Sequence, residues 1–519
     1  MLFNSYEFIV LFLPISLIIF FVLGRYYSNH YAIFWLVATS LFFYGWWNPN
    51  YLILICLSII INYIIGLLIT RYNGLGSNNK PLFFVVLGVS FNLLLLGYFK
   101  YSNFFLNTIN YTVGFDWNLH NVLLPIGISF FTFQQIAYLV DTKTNKTSEH
   151  NFLHYSLFVV FFPQLIAGPI VHHRQMLPQF TNRETYSPTF QNISVGSTIF
   201  IIGLFKKVVI ADNIAVYVNP VFDMAETGQA INFFQTWTAT LGYSLQLYFD
   251  FSGYSDMAIG LARLFGVKLP INFYSPYKAT SIIDFWQRWH MTLSRFLRDY
   301  VYIPLGGNRK GPRRRYINLM LTMVIGGLWH GAAWTFVAWG ALHGVFIIIN
   351  HLWTKIALFP TNINRWWSVL MARMITFLLV SIAWILFRAE SFVGVAEIYK
   401  GMFNLPISLL DKFGDSLLIL NDIGFSFIDS DVGLLNGINF LFLVVAVIAL
   451  WILPNTQELM SNYDPAYDYQ EKNKMFNQFT FIKKLLWYPN VAWSLYISIL
   501  FICSFLSLTQ VSEFLYFQF

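Results

Sequence analysis

His330 sits in Gly326-Gly327-Leu328-Trp329-His330-Gly331, within an apolar run from about Leu319 to Leu342 that is long enough to cross a bilayer. An imidazole at that depth has no water to solvate it, so it must face protein or an aqueous cavity. Glycines on both sides remove side chains around it and let another backbone or a ligand come close. Two readings stand: a packing histidine bonded to a neighbouring helix, or a group that handles protons in a cleared pocket. A second histidine, His290, closes Asp284-Phe285-Trp286-Gln287-Arg288-Trp289-His290, a stretch too charged to span yet carrying Trp286 and Trp289. Asp284 and Arg288 are four apart, as are Arg295 and Asp299, so each pair can meet on a helix surface. Such a helix lies at an interface or re-enters the membrane.

Upstream, Gln246, Asp250, Ser252, Tyr254, Asp256 and Arg263 interrupt what would otherwise be a span from Leu245 to Gly266. Ionisable groups at that depth line cavities or pair with one another. An Asp256–Arg263 pair and a backbone-bonded Asp250 therefore compete with a direct catalytic role for these carboxylates. Downstream, a glycine-rich turn around Gly306-Gly307 leads into Arg309, Lys310, Arg313, Arg314 and Arg315. The positive-inside rule makes this loop cytoplasmic. Its backbone N–H groups and guanidinium forks also suit the phosphates of an anionic donor, although the Gly-Lys-[Ser/Thr] of a Walker A loop is missing. No metal site is expected. His330 and His343 are thirteen apart without a carboxylate at helical spacing, and His172-His173 are adjacent and point different ways.

The elements that must hold these groups are membrane helices. Of 519 residues, 57% are hydrophobic, 20% aromatic and only 11% charged, which excludes an ordinary soluble protein. The balance of 31 basic and 24 acidic residues, +7, reads as cytoplasmic loops and not as a nucleic-acid surface. Cys56 and Cys503 both lie in apolar runs, so no disulfide framework is in prospect. Met1 to Ser5 offers neither a positive region nor a cleavage site, and the first apolar segment is expected to be a retained helix. Apolar stretches recur along the chain and predict an all-α, polytopic protein with roughly eleven to thirteen crossings and one or two re-entrant segments. The chain reads as one integral domain over 1–519, with core motifs at about 242–344 and a last helix plus aromatic tail at about 485–519. Basic residues at Arg25, Arg71 and Lys80, and later at Lys472, Lys474, Lys483 and Lys484, alternate with uncharged connectors. That alternation places both termini outside and the basic loops in the cytoplasm. The segment 402–434 is the weakest membrane candidate, and 455–480 reads as an extramembrane loop.

The run "NFYSPYKATSIIDFWQRWHMTLSRFLRDYVYIPLGGNRKG", followed by "GGLWHGAAWTFVAWGALHG", resembles the membrane-bound O-acyltransferase family, in the branch that O-acetylates bacterial polysaccharides. "LLPIGISFFTFQQIAYLVD", "FFPQLIAGPI", "LQLYFDFSGYSDMAIGLARLFG", "WILFRAE" and the terminal "FLYFQF" extend the likeness over nearly the whole chain. The resemblance implies a ring of helices around a central cavity, with His330 as the catalytic histidine and His290 as the second polar position. It implies acetyl transfer from cytosolic acetyl-CoA, across the bacterial inner membrane, towards a cell-envelope or secreted polysaccharide such as alginate or peptidoglycan. Such transfer needs a base for the hydroxyl proton and a donor for the oxyanion. His330, held neutral by burial, suits the first. His290, Asn318 or a backbone N–H at a Gly326-Gly327 bend would face the second. Asp250, Asp256, Trp286, Arg288 and Trp329 are candidates for lining the substrate path. The tail places Tyr516 between aromatics, and the resemblance implies that it carries the acetyl group on to an extracytoplasmic, esterase-like partner of the SGNH type. Acyl transfer of the teichoic-acid D-alanylation kind is the alternative. A transporter relaying protons is a third reading, but the paired repeats and broken helices it would show are not found.

Overall fold

The computed structural model describes residues 1–76, 79–115, 117, 122–356, 366–407, 420, 424–428, 434–476 and 485–509. These residues are mostly helical; among them the strands are one short parallel pair, Asn404–Pro406 beside Ser426–Ile428. Among the described residues seven helices are long and apolar enough to cross a membrane: Glu7–Tyr26, Asn50–Gly74, Asn79–Val113, Phe190–Glu226, Trp334–Lys355, Trp366–Arg388 and Val491–Thr509. The other stretches expected to cross fall on helices that are shorter or more polar. They include Asn29–Gly45, Ile128–Lys143, the 32-residue Phe233–Leu264, and Gly311–His330 with its arginine-rich first turn.

Helix starts follow side-chain capping. Ser28, Asn151, Ser281 and Asn490 each accept a hydrogen bond from a first-turn N–H of the helix that follows. The burial pattern is that of a soluble protein's helix turned inside out. On Asn50–Gly74, Ile53, Leu57, Ile60 and Ile64 share the outward face and are exposed, while Ser58 and Asn62 are buried. The inward polar groups satisfy each other: Asn92 Nδ2 donates to Asn62 Oδ1 at 2.6 Å, and Gln135 Nε2 donates to Ser58 Oγ at 3.0 Å. Apolar residues outside and bonded amides inside are what hydrocarbon as a solvent demands.

The chain gathers into two compact units. Of the described residues, one unit draws on 1–205, 252–272 and 456–509, the other on 206–251 and 273–455. Within the first unit the Tyr6 hydroxyl donates to the Phe505 carbonyl, so the beginning of the chain and the end of the last described helix share one end. The opposite end collects the cations. Asn73 donates to the carbonyls of Thr142 and Lys143, Thr147 bonds His173, and Tyr186 packs against Gly24, next to Arg25. His172 and His173 do point different ways, towards Asp141 at 3.6 Å and Glu149 at 3.4 Å. The segment expected as an extramembrane loop folds into short helices, Thr456–Leu459 and Tyr469–Phe476.

Candidate active site

The second unit holds both histidines. Pro312, in the first turn where its missing N–H costs nothing, starts the helix Gly311–His330. The helix ends on His330 itself, because Gly331 is extended at φ −156°. The chain then returns through Trp334–Ile356, packed along the first helix. Glycine makes this possible: a Cβ on Gly327 would run into the Phe336 carbonyl oxygen, and one on Gly340 into that of Met323. Of the two uses expected for these glycines, close approach of a backbone is the one they serve. Gly340→Ala is therefore expected to lower stability by about 1–3 kcal/mol, the scale of an overpacked core. A drop in the thermal midpoint of the purified protein checks this, and an unchanged midpoint would contradict the packing.

His290 is placed by a different device. Ser281 caps the helix Ile282–Arg288, Thr280 N–H donates to Asp284 Oδ2 at 3.1 Å, and Arg288 Nε donates to Asp284 Oδ1 at 2.6 Å, the i,i+4 pair expected. After Trp289 the backbone turns left-handed at His290, φ 42° and ψ 53°, a region that costs a residue with a Cβ roughly 1–3 kcal/mol. Its carbonyl accepts from Ser294 N–H at 2.9 Å and so opens the next helix, Met291–Leu297. The turn aims the imidazole inwards, where it is fully buried and meets the Phe251 ring edge-on at 4.8 Å.

The two imidazoles face one aromatic wall. His330 is 6% exposed, with the rings of Trp329, Trp339 and Phe387 centred 5.0, 5.3 and 5.1 Å away. His290 lies 6.2 Å from His330 and 5.9 Å from Trp329, ring centre to ring centre. A third imidazole, His343, is also fully buried; its Nδ1 accepts from Trp286 Nε1 at 3.3 Å and its ring is 4.9 Å from that of Trp339. Trp339, His343 and Trp384 were not among the expected site residues. The available signal was spacing: Trp339 and His343 are four apart and so share a helix face.

The other candidates scatter. Trp329 touches both histidines and Trp286 serves His343, while Arg288 is committed to Asp284. Asp250 is not backbone-bonded but ion-paired: Lys207 Nζ lies 2.5 Å from it and 2.7 Å from Asp212, all three buried. Asp256 and Arg263, in the first unit, do not form the pair that their spacing allowed. Asp256 accepts from Thr456 and Gln457, at 2.6 and 3.0 Å, and Arg263 donates to the carbonyls of Tyr463 and Asp464. Asn318 is a correction. It lies twelve residues before His330, roughly 18 Å along the helix, and its amide donates to the Gly307 carbonyl at 2.9 Å, tying down the glycine turn. No bend occurs at Gly326-Gly327 either; both lie inside the helix, where their N–H groups are committed to its ladder. Arg309, Lys310, Arg313 and Arg314 are exposed, whereas Arg315 donates to His351 at 3.0 Å. Asp299 pairs with Arg298 at 2.7 Å. Tyr516 lies outside the described residues. Among the described residues no three His, Cys, Asp or Glu side chains converge as metal ligands would.

The arrangement is a buried imidazole at a helix C-terminus, with a second imidazole beside it and indole and phenyl rings packed around both. Comparison with known proteins adds the reaction class. Residues 91–389 match the membrane-bound O-acyltransferase family. The chain is 45% identical over 431 residues to the peptidoglycan O-acetyltransferase of Helicobacter pylori, covering 78% of this chain and 80% of that one. It is 43% identical to a protein of Pseudomonas putida named probable alginate O-acetylase, over 78% of this chain and 80% of the relative. The teichoic acid D-alanyltransferase of Bacillus subtilis is more distant, 29% identical over 53% of this chain and 71% of its own.

Proposed function

This chain belongs to the membrane-bound O-acyltransferase family, and from that premise we propose that it is an O-acetyltransferase acting for a cell-envelope polysaccharide, with cytosolic acetyl-CoA as donor. The observation that carries the reading is the His290–His330 pair, 6.2 Å apart on a buried aromatic wall at the end of an apolar helix. His330 takes the proton of an attacking hydroxyl. The oxygen adds to the thioester carbonyl, the C–S bond breaks, and the imidazolium returns its proton to the departing thiolate. The negative end of the Gly311–His330 helix dipole stabilises that imidazolium, by about 0.3–1 kcal/mol for such a site. The oxyanion is faced by His290 and by the Trp339 indole N–H, a buried donor with no acceptor among the described residues. Lys207 bridges Asp250 and Asp212 within the second unit, so these carboxylates are neutralised in place.

The cation-rich end of the first unit faces the cytosol by the positive-inside rule, which sets both termini outside the inner membrane. Acetyl-CoA is too charged to follow its acetyl group outwards. A relay through Tyr516 to an extracytoplasmic SGNH-type esterase-like partner closes that gap. The more similar relatives are named as O-acetyltransferases and the more distant one as a D-alanyltransferase, which favours acetyl over D-alanyl as the group carried.

The test uses inverted membrane vesicles containing the full chain, supplied with radiolabelled acetyl-CoA. Alkali-labile label on the chain supports the reading. Label appearing only from a D-alanyl carrier protein would replace it with the alternative. A second measurement addresses the basic loop. Replacing Arg313 and Arg314 with glutamine is expected to raise the KM for acetyl-CoA several-fold at low salt, and less at high salt, because exposed charges are screened beyond about 8–10 Å. An unchanged KM with altered insertion topology would make the loop an orientation signal only.

A further inference from the structure

In the first unit, a cleft of roughly 990 Å³ takes no part in the chemistry above. It is lined by Arg174, Arg183, Arg263 and Lys268 with the carboxylate of Glu184; Lys268 is already paired with Asp464, which leaves three guanidinium groups against one carboxylate, or +2. Arg174 and Arg183 are exposed. Arg263 is only 5% exposed; its terminal nitrogens reach two neutral carbonyls at 3.4 Å and its Nε has no acceptor among the described residues. The Asp464 carboxylate is held instead by Lys268 at 2.5 Å. A buried guanidinium with unused N–H groups calls for an anion.

Depth tells which anion. Thr189, Gln191 and Asn192 line the same cleft, and the membrane-crossing helix begins at Phe190. Phe190 is 76% exposed and Ile193 45%, so this turn enters hydrocarbon while its polar neighbours stay at headgroup level. One turn deeper, a groove of roughly 580 Å³ runs between this helix and the last one, walled by Phe190, Ser194, Trp493 and Ile497. A polar, cationic cleft above an apolar groove has the shape of an amphiphile.

We propose that the first unit carries a binding site for an anionic phospholipid of the cytoplasmic leaflet. The phosphodiester sits among Arg174, Arg183 and Arg263, and an acyl chain lies along the groove. The site rests on the membrane reading alone and not on the acyl-transfer chemistry. Basic pockets beside membrane helices hold such headgroups through attraction that grows with each Lys or Arg near the surface.

The test is native mass spectrometry of the full-length, delipidated chain titrated with phosphatidylglycerol and phosphatidylcholine. The wild type is expected to bind phosphatidylglycerol roughly tenfold or more tightly than phosphatidylcholine. Arg174→Gln with Arg183→Gln, both at exposed positions and so without a folding cost, is expected to abolish that preference. Lys80→Gln, a cation outside the cleft, is expected to keep it. Equal binding of the two lipids by the wild type, or equal loss in the Lys80 variant, would overturn the site. Saturation by inorganic phosphate or coenzyme A, competing with lipid through the same two arginines, would overturn the lipid as its occupant.

Discussion

Replacing His330 with glutamine, or with alanine, is expected to lower acetyl transfer by about 10²–10⁴-fold, the range for removal of a positioned acid–base group. Glutamine is the cleaner of the two, because alanine would also open a void against Trp329, Trp339 and Phe387 and cost stability for that reason alone. Abundance and thermal midpoint measured on both variants separate the two effects. His290→Gln is expected to fall less far if His290 only faces the oxyanion, and the double variant to fall no further than His330→Gln, since residues acting in one step are not additive. Retention of more than about a tenth of the activity by His330→Gln, at normal abundance, would return His330 to the packing role that a buried imidazole in a glycine-rich helix pair can also have.

Much of this site was legible in the sequence because of contrast. An imidazole and three glycines stand out in an apolar run, and a charged, Trp-rich segment stands out between spans. The all-helical, multi-pass class follows from composition with equal ease. What failed to show was whatever lacked contrast. Trp339 and Phe387 face His330, with Trp384 stacked on Trp339, but in a chain that is 20% aromatic nothing marks three rings as special until their faces are known. Long-range ion pairing was hidden for the opposite reason. Asp250 was conspicuous, yet its partner Lys207 lies 43 residues earlier inside another apolar helix, and no local spacing links them. Asn318 misled because an amide near a catalytic motif looks close in sequence. At 1.5 Å per residue a helix carries it out of reach.

The other large effect belongs to Tyr516. In cells, Tyr516→Phe is expected to cut acetylation of the polysaccharide by roughly 100-fold or more, the scale of losing a positioned reacting group, with wild-type abundance. The substitution keeps the ring, so any anchoring that the aromatic character of this tail supplies survives it. Only the hydroxyl goes. A phenol near pKa 10 is acidic enough to be deprotonated by an imidazole and leaves more readily than a serine alkoxide, which in the proposed relay lets it take an acetyl group from the thioester and yield it to a partner's serine. The two half-reactions also come apart in the assay. Hydrolysis of acetyl-CoA by the purified variant is expected to persist at a low rate, because His330 can activate water in place of the phenol, whereas His330→Gln loses both. Full acetylation of the glycan by Tyr516→Phe would remove the relay and leave the acetyl group to pass from thioester to acceptor in one step at His330.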